Sequence, residues 1–391
     1  MPEAGGAGRS NLGTMALEEG GRVDFARLRA ARLGRCVSAM AEEGLDALVL
    51  GREANARYVS GARRLWNAGT RPFGPGCVVV ADGGQVHLLS TWDDGVPREL
   101  PRQNLFGLSW NPANYARALA QIPGLAQART IGVDGMSDSF SRMLAGIAPQ
   151  ARLVDGLGML HRVRAAKLDD EVAAIATAVR LAEAALSHVV ASLRPGMTEA
   201  QLQGAFERRM AELGSTVPGA EGAFCRTAAA TGSPELNEGD LVAMSPSVLY
   251  AGYEGGLART YPCPGRHPED GVTPTRRQLH ARWRRLWDAL LSACRPGAKA
   301  AALLDAYRST GEPLPRHPVA WGLGLGMEPP LVGANLPPDA GADQALVPGM
   351  VLSVGGSVSD GEEAYVARDT VLVSEDGPVL LSRHSHGPLA A

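Results

Sequence analysis

The segment from Gly239 to Thr260, GDLVAMSPSVLYAGYEGGLART, restricts the possible fold more than any other stretch of this chain. Short apolar runs, LVAM and SVLY, are separated by Pro- and Gly-containing connections, and Ala251-Gly252 follows the second run directly. The stretch reads as a strand pair.

The chain around it has 391 residues, long enough to bury a large core in two or three domains. With 45% hydrophobic and 20% charged residues it has the composition of a soluble globular protein. A net charge of -3 and a pI near 6.3 give no electrostatic footprint for nucleic acid. No uninterrupted apolar run approaches the roughly 20 residues that span a bilayer, so no membrane partner is expected. Residues 1–23 lack the apolar block of a signal peptide and read as a flexible leader. Cys36, Cys77, Cys225, Cys263 and Cys294 are odd in number and contain no C-x-x-C pair. They predict reduced thiols and a cytoplasmic location, without a disulfide framework or zinc site.

Two domains follow from the patterning. In residues 24–156, Asp24 caps a helix through Phe25, Leu28, Leu33, Val37 and Met40, which Gly44 stops. Strands are expected at ALVL (from Ala47), CVVVA (from Cys77), VHLLS (from Val86) and TIGVD (from Thr130), with a hairpin turn at Asp82-Gly83-Gly84 and a capped helix from Asn111. Alternating strands and helices predict an α/β domain with a mixed sheet. In residues 157–391, Asp169, Asp170 and Glu171 open a helix where its dipole favours anions. Thr198 and Gln201 form a capping box for the next helix, and another is expected at about 274–294. There Leu279, Trp283 and Leu286 face the core, and Arg276, Arg277, Arg284 and Arg285 are expected to be mostly solvated.

Gly239, Asp240, Leu241, Val242, Tyr250, Gly252, Tyr253, Arg259 and Thr260 match the metal-site hairpin of the creatinase, Xaa-Pro aminopeptidase and methionine aminopeptidase superfamily, which the chain resembles from about Asp24 to Ser382. The resemblance implies a creatinase/prolidase-like α/β domain, then an α+β pita-bread domain and, by analogy, a homodimer. It also implies two divalent metals held by two Asp, one His and two Glu, which activate a water for amide hydrolysis. Here those five positions carry Ser245, Gly256, Trp321 (in WGLGLGMEPP), Gly355 (in PGMVLSVGG) and Arg368 (in ARDTVLV). None offers a carboxylate or imidazole, so no metal or other cofactor is expected.

Within the altered motifs, Glu328 is a candidate base, and Arg368 with Arg259 a candidate cation clamp. Tyr250, Tyr253, Glu254, Trp321 and Asp369 are candidate substrate-binding residues. Each has a plainer alternative: Arg259 bracing the sheet through Asp369 or Glu254, and Glu328 capping a turn. Cys225 lacks a placed base and reads as a structural thiol. The GLGLG of 322–326 lacks the Lys and Ser/Thr of a phosphate loop. The expected function is a metal-independent enzyme or ligand-binding relative acting on a small amino-acid-like or peptide-like molecule. The alternative is a non-catalytic binder of a protein or metabolite, and an active metallopeptidase ranks last.

Overall fold

The computed structural model describes residues 21, 23–62, 76–89, 95–107, 111–215, 219, 225–227, 235–265, 271–337 and 340–386. Most of the leader and the side chain of Cys225 lie outside the described residues. The chain divides into two compact units at Arg164/Ala165.

The first unit contains α1 (Phe25–Glu42), β1 (Ala47–Leu50), α2 (Glu53–Ser60), β2 (Cys77–Val80), β3 (Gln85–Leu89), β4 (Leu105–Phe106), α3 (Pro112–Ala120), β5 (Thr130–Val133), α4 (Asp138–Ile147), β6 (Arg152–Asp155) and α5 (Leu157–Ala165). Asp24 accepts a hydrogen bond from Arg27 N and caps α1, and Gly44, with φ of 64°, follows its end. The buried stripe of α1 is Phe25, Leu28, Arg32, Cys36 and Met40, so Leu33 and Val37 flank it, half-buried. Arg32 joins that stripe by laying its guanidinium 5.5 Å from the centre of the Tyr58 ring. The sheet order is β4-β3-β2-β1-β5-β6, antiparallel for β1–β2 and β2–β3 and parallel for the other pairs. His87 in β3 is buried against Phe106, and among the described residues neither ring nitrogen has a hydrogen-bond partner.

The second unit contains α6 (Asp169–Ser192), α7 (Glu199–Glu212), β7 (Cys225–Thr227), β8 (Leu241–Met244), β9 (Ser247–Tyr250), β10 (Tyr253–Gly256), β11 (Arg259–Pro262), α8 (Pro274–Ala293), α9 (Ala301–Ser309), β12 (Ala320–Gly324), β13 (Gly326–Val332), β14 (Val351–Ser359), β15 (Ala364–Ser374) and β16 (Gly377–Leu380). The expected strand pair becomes two pairings: β9 with β10, and β11 with β8 in a sheet that also holds β7. A five-stranded sheet runs β13-β12-β14-β15-β16. Its apolar face packs on α8 and α9 through Trp283, Leu286, Tyr307, Leu352, Val354 and Tyr365. Thr198 and Gln201 form the expected capping box at α7. Helix α6 is long and apolar enough to cross a membrane by length and composition, yet its apolar side is buried on α7 and β9–β10. On α8, Arg276 is not solvated: it is buried and donates through Nε to Glu363, 2.8 Å away. Arg277, Arg284 and Arg285 are exposed.

A buried ion pair organises this unit. Arg259 Nη2 lies 2.6 Å from Asp369 Oδ1, and both side chains are 1% exposed. The remaining Arg259 donors go to the carbonyls of Ala258, Arg368, His384 and Ser385. Asp369 also accepts from Ser382 Oγ and faces His386 Nε2 at 2.8 Å. The His386 ring packs on Trp283, with centroids 4.7 Å apart. One pair therefore joins β11, β15, the α8 core and the segment after β16.

Two pH dependences follow, with separate windows. Burial lowers the His87 pKa below its ordinary value of 6.5. The unfolded chain then takes up the proton first, and stability falls as pH drops from about 6.5 towards the folded value. A His87→Leu variant is expected to lack this loss in urea titrations at neutral and mildly acidic pH. Burial pushes the Asp369 carboxyl up, but Arg259, His386 and Ser382 outweigh it and hold the pKa at about 2. Its stabilising contribution is complete above the unfolded value near 4 and disappears as pH falls to about 2. Asp369→Ala strands Arg259 as an unpaired buried charge and is expected to cost about 3–5 kcal/mol in urea unfolding at neutral pH. A cost under about 1 kcal/mol contradicts the bracing role.

Candidate functional site

The two-residue period of a strand decides which side chains of β10 enter the site. Tyr253 is buried, and its hydroxyl donates to Glu171 Oε1 of α6 at 2.8 Å. A Cβ on Gly255 would stand 2.6 Å from Val179 N of the same helix, so this side of β10 is closed against α6. Glu254 and Gly256 lie on the opposite side: Glu254 accepts from Ser247 Oγ, and a Cβ at Gly256 would meet Pro246 and Ser247. Tyr250 of β9 packs with the α6–α7 core. Of the three hairpin residues expected to bind substrate, Glu254 reaches the site and the two tyrosines face the helices.

On the five-stranded sheet, Ala320, Leu352, Val354, Tyr365 and Ala367 belong to the α8 core. Trp321, Ser353, Gly355 and Arg368 alternate with them and occupy the other face. Gly355 pairs with Arg368 across β14–β15, and Trp321 pairs with Ser353 across β12–β14. The bare Gly355 lets the Arg368 side chain cross β14, and its guanidinium carbon lies 4.6 Å from the centre of the Trp321 ring. Burial lowers the Arg368 pKa to about 10, with Glu254 and Asp369 partly offsetting that effect, so it stays cationic at neutral pH. Burial likewise raises the Glu254 pKa, opposed by the hydrogen bond from Ser247 Oγ at 3.0 Å and by the Arg368 charge. Two separate motifs thus bring Trp321 and Arg368 into contact, and Glu254 is near enough for its charge to act on Arg368.

The other two catalytic candidates are engaged inside the protein. All Arg259 N–H groups are donated to Asp369 and backbone carbonyls, as described for the brace above. Glu328 is buried, ion-paired to Lys167 Nζ at 3.1 Å, and accepts from Leu325 N, closing the β12–β13 turn. Gly324 is needed there, because a Cβ would overlap the Glu328 carboxylate. Lys167 was missed in the sequence, where it precedes an acidic helix start and gives no sign of a partner 161 residues away. Ser247 was missed too, since a strand serine carries no mark of its cross-strand acceptor.

A divalent metal pair needs several hard oxygen or imidazole donors converging on one point. Among the described residues no group of three or more His, Cys, Asp or Glu side chains is placed to hold a metal ion. The backbone is shaped around the residues present. A Cβ at Gly256 would fall on Pro246 O and lie 2.9 Å from Ser247 Cα, and one at Gly355 would lie 2.6 Å from Arg368 Cα. Even an alanine at either position requires a backbone shift. Among the described residues, the donor set does not fit the two-metal centre.

Comparison with known proteins places the scaffold. The model of metallopeptidase family M24 matches residues 173–375, and that of the creatinase/prolidase N-terminal domain matches residues 32–166. The probable dipeptidase PepE of Mycobacterium tuberculosis (strain ATCC 25618 / H37Rv) is 28% identical over 393 residues, spanning 94% of this chain and 98% of that protein. The Xaa-Pro aminopeptidase of Escherichia coli (strain K12) is 30% identical over 122 residues, only 30% of this chain and 28% of that protein. Among solved structures, dipeptidase PepE from Mycobacterium ulcerans matches with a TM-score of 0.69 at 24% identity, covering 94% of this chain and 98% of that one. The X-Pro aminopeptidase from Thermotoga maritima MSB8 matches with a TM-score of 0.72 at 16% identity, covering 91% and 98%. These structural likenesses establish a creatinase-like domain followed by a pita-bread domain, and the chain belongs to metallopeptidase family M24.

Proposed function

We propose that this M24 protein works without the dinuclear metal site of its family, as a metal-independent enzyme or ligand-binding protein for a small amino-acid-like or peptide-like molecule. The observation that carries this is the Arg368 guanidinium lying on Trp321, with Gly256 and Gly355 closed against any side chain. A fixed cation where two cations would sit repels them, and in a low-dielectric site that repulsion is strong. The curated relatives are named as peptidases, and at 28% identity their chemistry does not transfer residue by residue.

Binding without catalysis is favoured by one feature: Glu328, the expected base, is tied to Lys167. Glu254 is then the carboxylate left on the site face with partial exposure. A homodimer and a cytoplasmic location belong to the same proposal; the buried free thiols of Cys36, Cys77, Cys263 and Cys294 agree with a reducing compartment.

Purified protein is expected to hold no stoichiometric Mn, Co, Zn or Fe by elemental analysis, and to show no metal-stimulated hydrolysis of Xaa-Pro dipeptides. Stoichiometric metal accompanied by metal-stimulated cleavage overturns the proposal. The combined variant Ser245→Asp, Gly256→Asp, Arg368→Glu is expected to stay inactive in the same assay. It should also lose about 1–3 kcal/mol of stability through overpacking at position 256. Measurable cleavage by that variant would show a nearly intact metal site.

A further inference from the structure

The segment after β16, residues 382–386, lies across the second unit as a strap. Ser382 Oγ donates to Asp369 Oδ1, and Arg259 holds the carbonyls of His384 and Ser385 at 2.7 and 2.8 Å. The amides of Arg383 and His384 both donate to Glu183 of α6. Tyr261 Oη of β11 lies 3.1 Å from His384 Nδ1, and the Tyr365 hydroxyl of β15 donates to His386 O. The His386 ring packs on α8, its centre 4.7 Å from that of Trp283 and 6.0 Å from that of Trp287. Of the five strap residues only Ser382 is buried, so docking rests on these polar and ring contacts.

A second imidazole stands against the same rings. His280 of α8 is half-buried, 6.0 Å from Trp283 and edge-to-face with Tyr365 at 5.2 Å. Among the described residues its Nε2 is buried with no hydrogen-bond partner. An imidazolium carries hydrogen on both nitrogens, so a protonated His280 would bury an N–H that has no acceptor. Burial, and then the charges of His386 and Arg284, lower its pKa below the ordinary 6.5.

The surrounding groups do not reverse that preference. On α8, Arg284 is a cation paired with Asp288 at the surface. On β15, Asp369 is already matched by Arg259 of β11. The ionised Asp369 can only accept, so His386 Nε2 carries the hydrogen between them, and protonating His386 adds no bond to Asp369. Burial pushes the hydroxyls of Tyr261 and Tyr365 up, so both stay neutral. Glu183 faces the strap amides from α6, and Arg383 and His384 are the strap's own remaining ionisable groups.

We propose that residues 382–386 form an acid-released strap: protonation of His280 disrupts the Trp283–Tyr365 seat of His386 and lets the segment leave α8 and β15. The released form takes up the proton that the docked form resists, so docking is complete above pH about 6.5 and weakens as pH falls below it. Release keeps the Arg259–Asp369 contact but takes Ser382, His386 and two backbone carbonyls from it. Acid thereby loosens the brace without breaking it, whatever ligand the protein takes.

Hydrogen exchange of the full-length protein tests this, read by mass spectrometry on peptides covering residues 381–386 and corrected for the intrinsic effect of pH. Protection of the Arg383 and His384 amides is expected to fall up to about 10-fold between pH 7.5 and 5.5, the limit for one proton taken up only by the released form. His280→Phe, which keeps a ring without a titrating group, should remove that loss, and so should the smaller His280→Leu. His87→Leu, in the other unit, should leave it unchanged. Protection that changes by less than about 2-fold in the wild type overturns the proposal, as does a loss that persists in both His280 variants. Protection that rises as pH falls also overturns it, because the His386–Asp369 contact would then dominate.

Discussion

The Arg259–Asp369 pair is the interaction on which the second unit depends. A buried charge is costly unless it is paired and its remaining donors are used, and here both conditions hold. Arg259 spends its other N–H groups on backbone carbonyls of β15 and of the segment after β16, so it fixes strands rather than a ligand. One of those carbonyls belongs to Arg368. The brace thereby sets the strand position from which Arg368 reaches the opposite face. Asp369 and Arg368 are sequence neighbours with opposite tasks because successive strand residues point to opposite faces.

The same alternation places Trp321, Gly355 and Arg368 on one face of the five-stranded sheet. Gly355 is bare where Arg368 crosses it, and Trp321 supplies the ring beneath the guanidinium. Gly256 is bare where β9 and β10 meet, and Glu254, two residues earlier, turns the same way. Trp321, Gly355 and Arg368 act as a set. Arg368 needs the glycine for room, the indole for a desolvated face, and the Glu254 charge to offset part of the burial penalty. A carboxylate introduced at Gly256 or Gly355 would face both a blocked backbone and a resident cation.

Much of the fold was legible in the sequence because its signals are local. Caps at Asp24 and Thr198, the Asp82–Gly84 turn and the apolar strands all act within a few residues. The stripe of α1 was read slightly off-centre, because Arg32 is buried by cation–π contact with Tyr58, which apolar periodicity does not register. The same blindness placed Arg276 in solvent, whereas Glu363 pairs with it from 87 residues away. Glu328 looked like a free base for the same reason, since its partner Lys167 is distant in sequence. The alternatives of a bracing Arg259 and a turn-capping Glu328 were legible; the choice required the third dimension. Which hairpin side chains enter the site depended on the side of β10 that α6 covers, and that also is a tertiary fact.

In the proposed metal-free function, Arg368, stacked on Trp321, stands in place of the metal pair of the M24 scaffold. Anomalous diffraction from crystals soaked in Mn2+ tests it most directly. No anomalous peak is predicted between β10 and the β12–β14–β15 face, with Arg368 retained over the indole. A peak there at coordinating distance from protein oxygen or nitrogen atoms, with Arg368 swung away, would contradict the account.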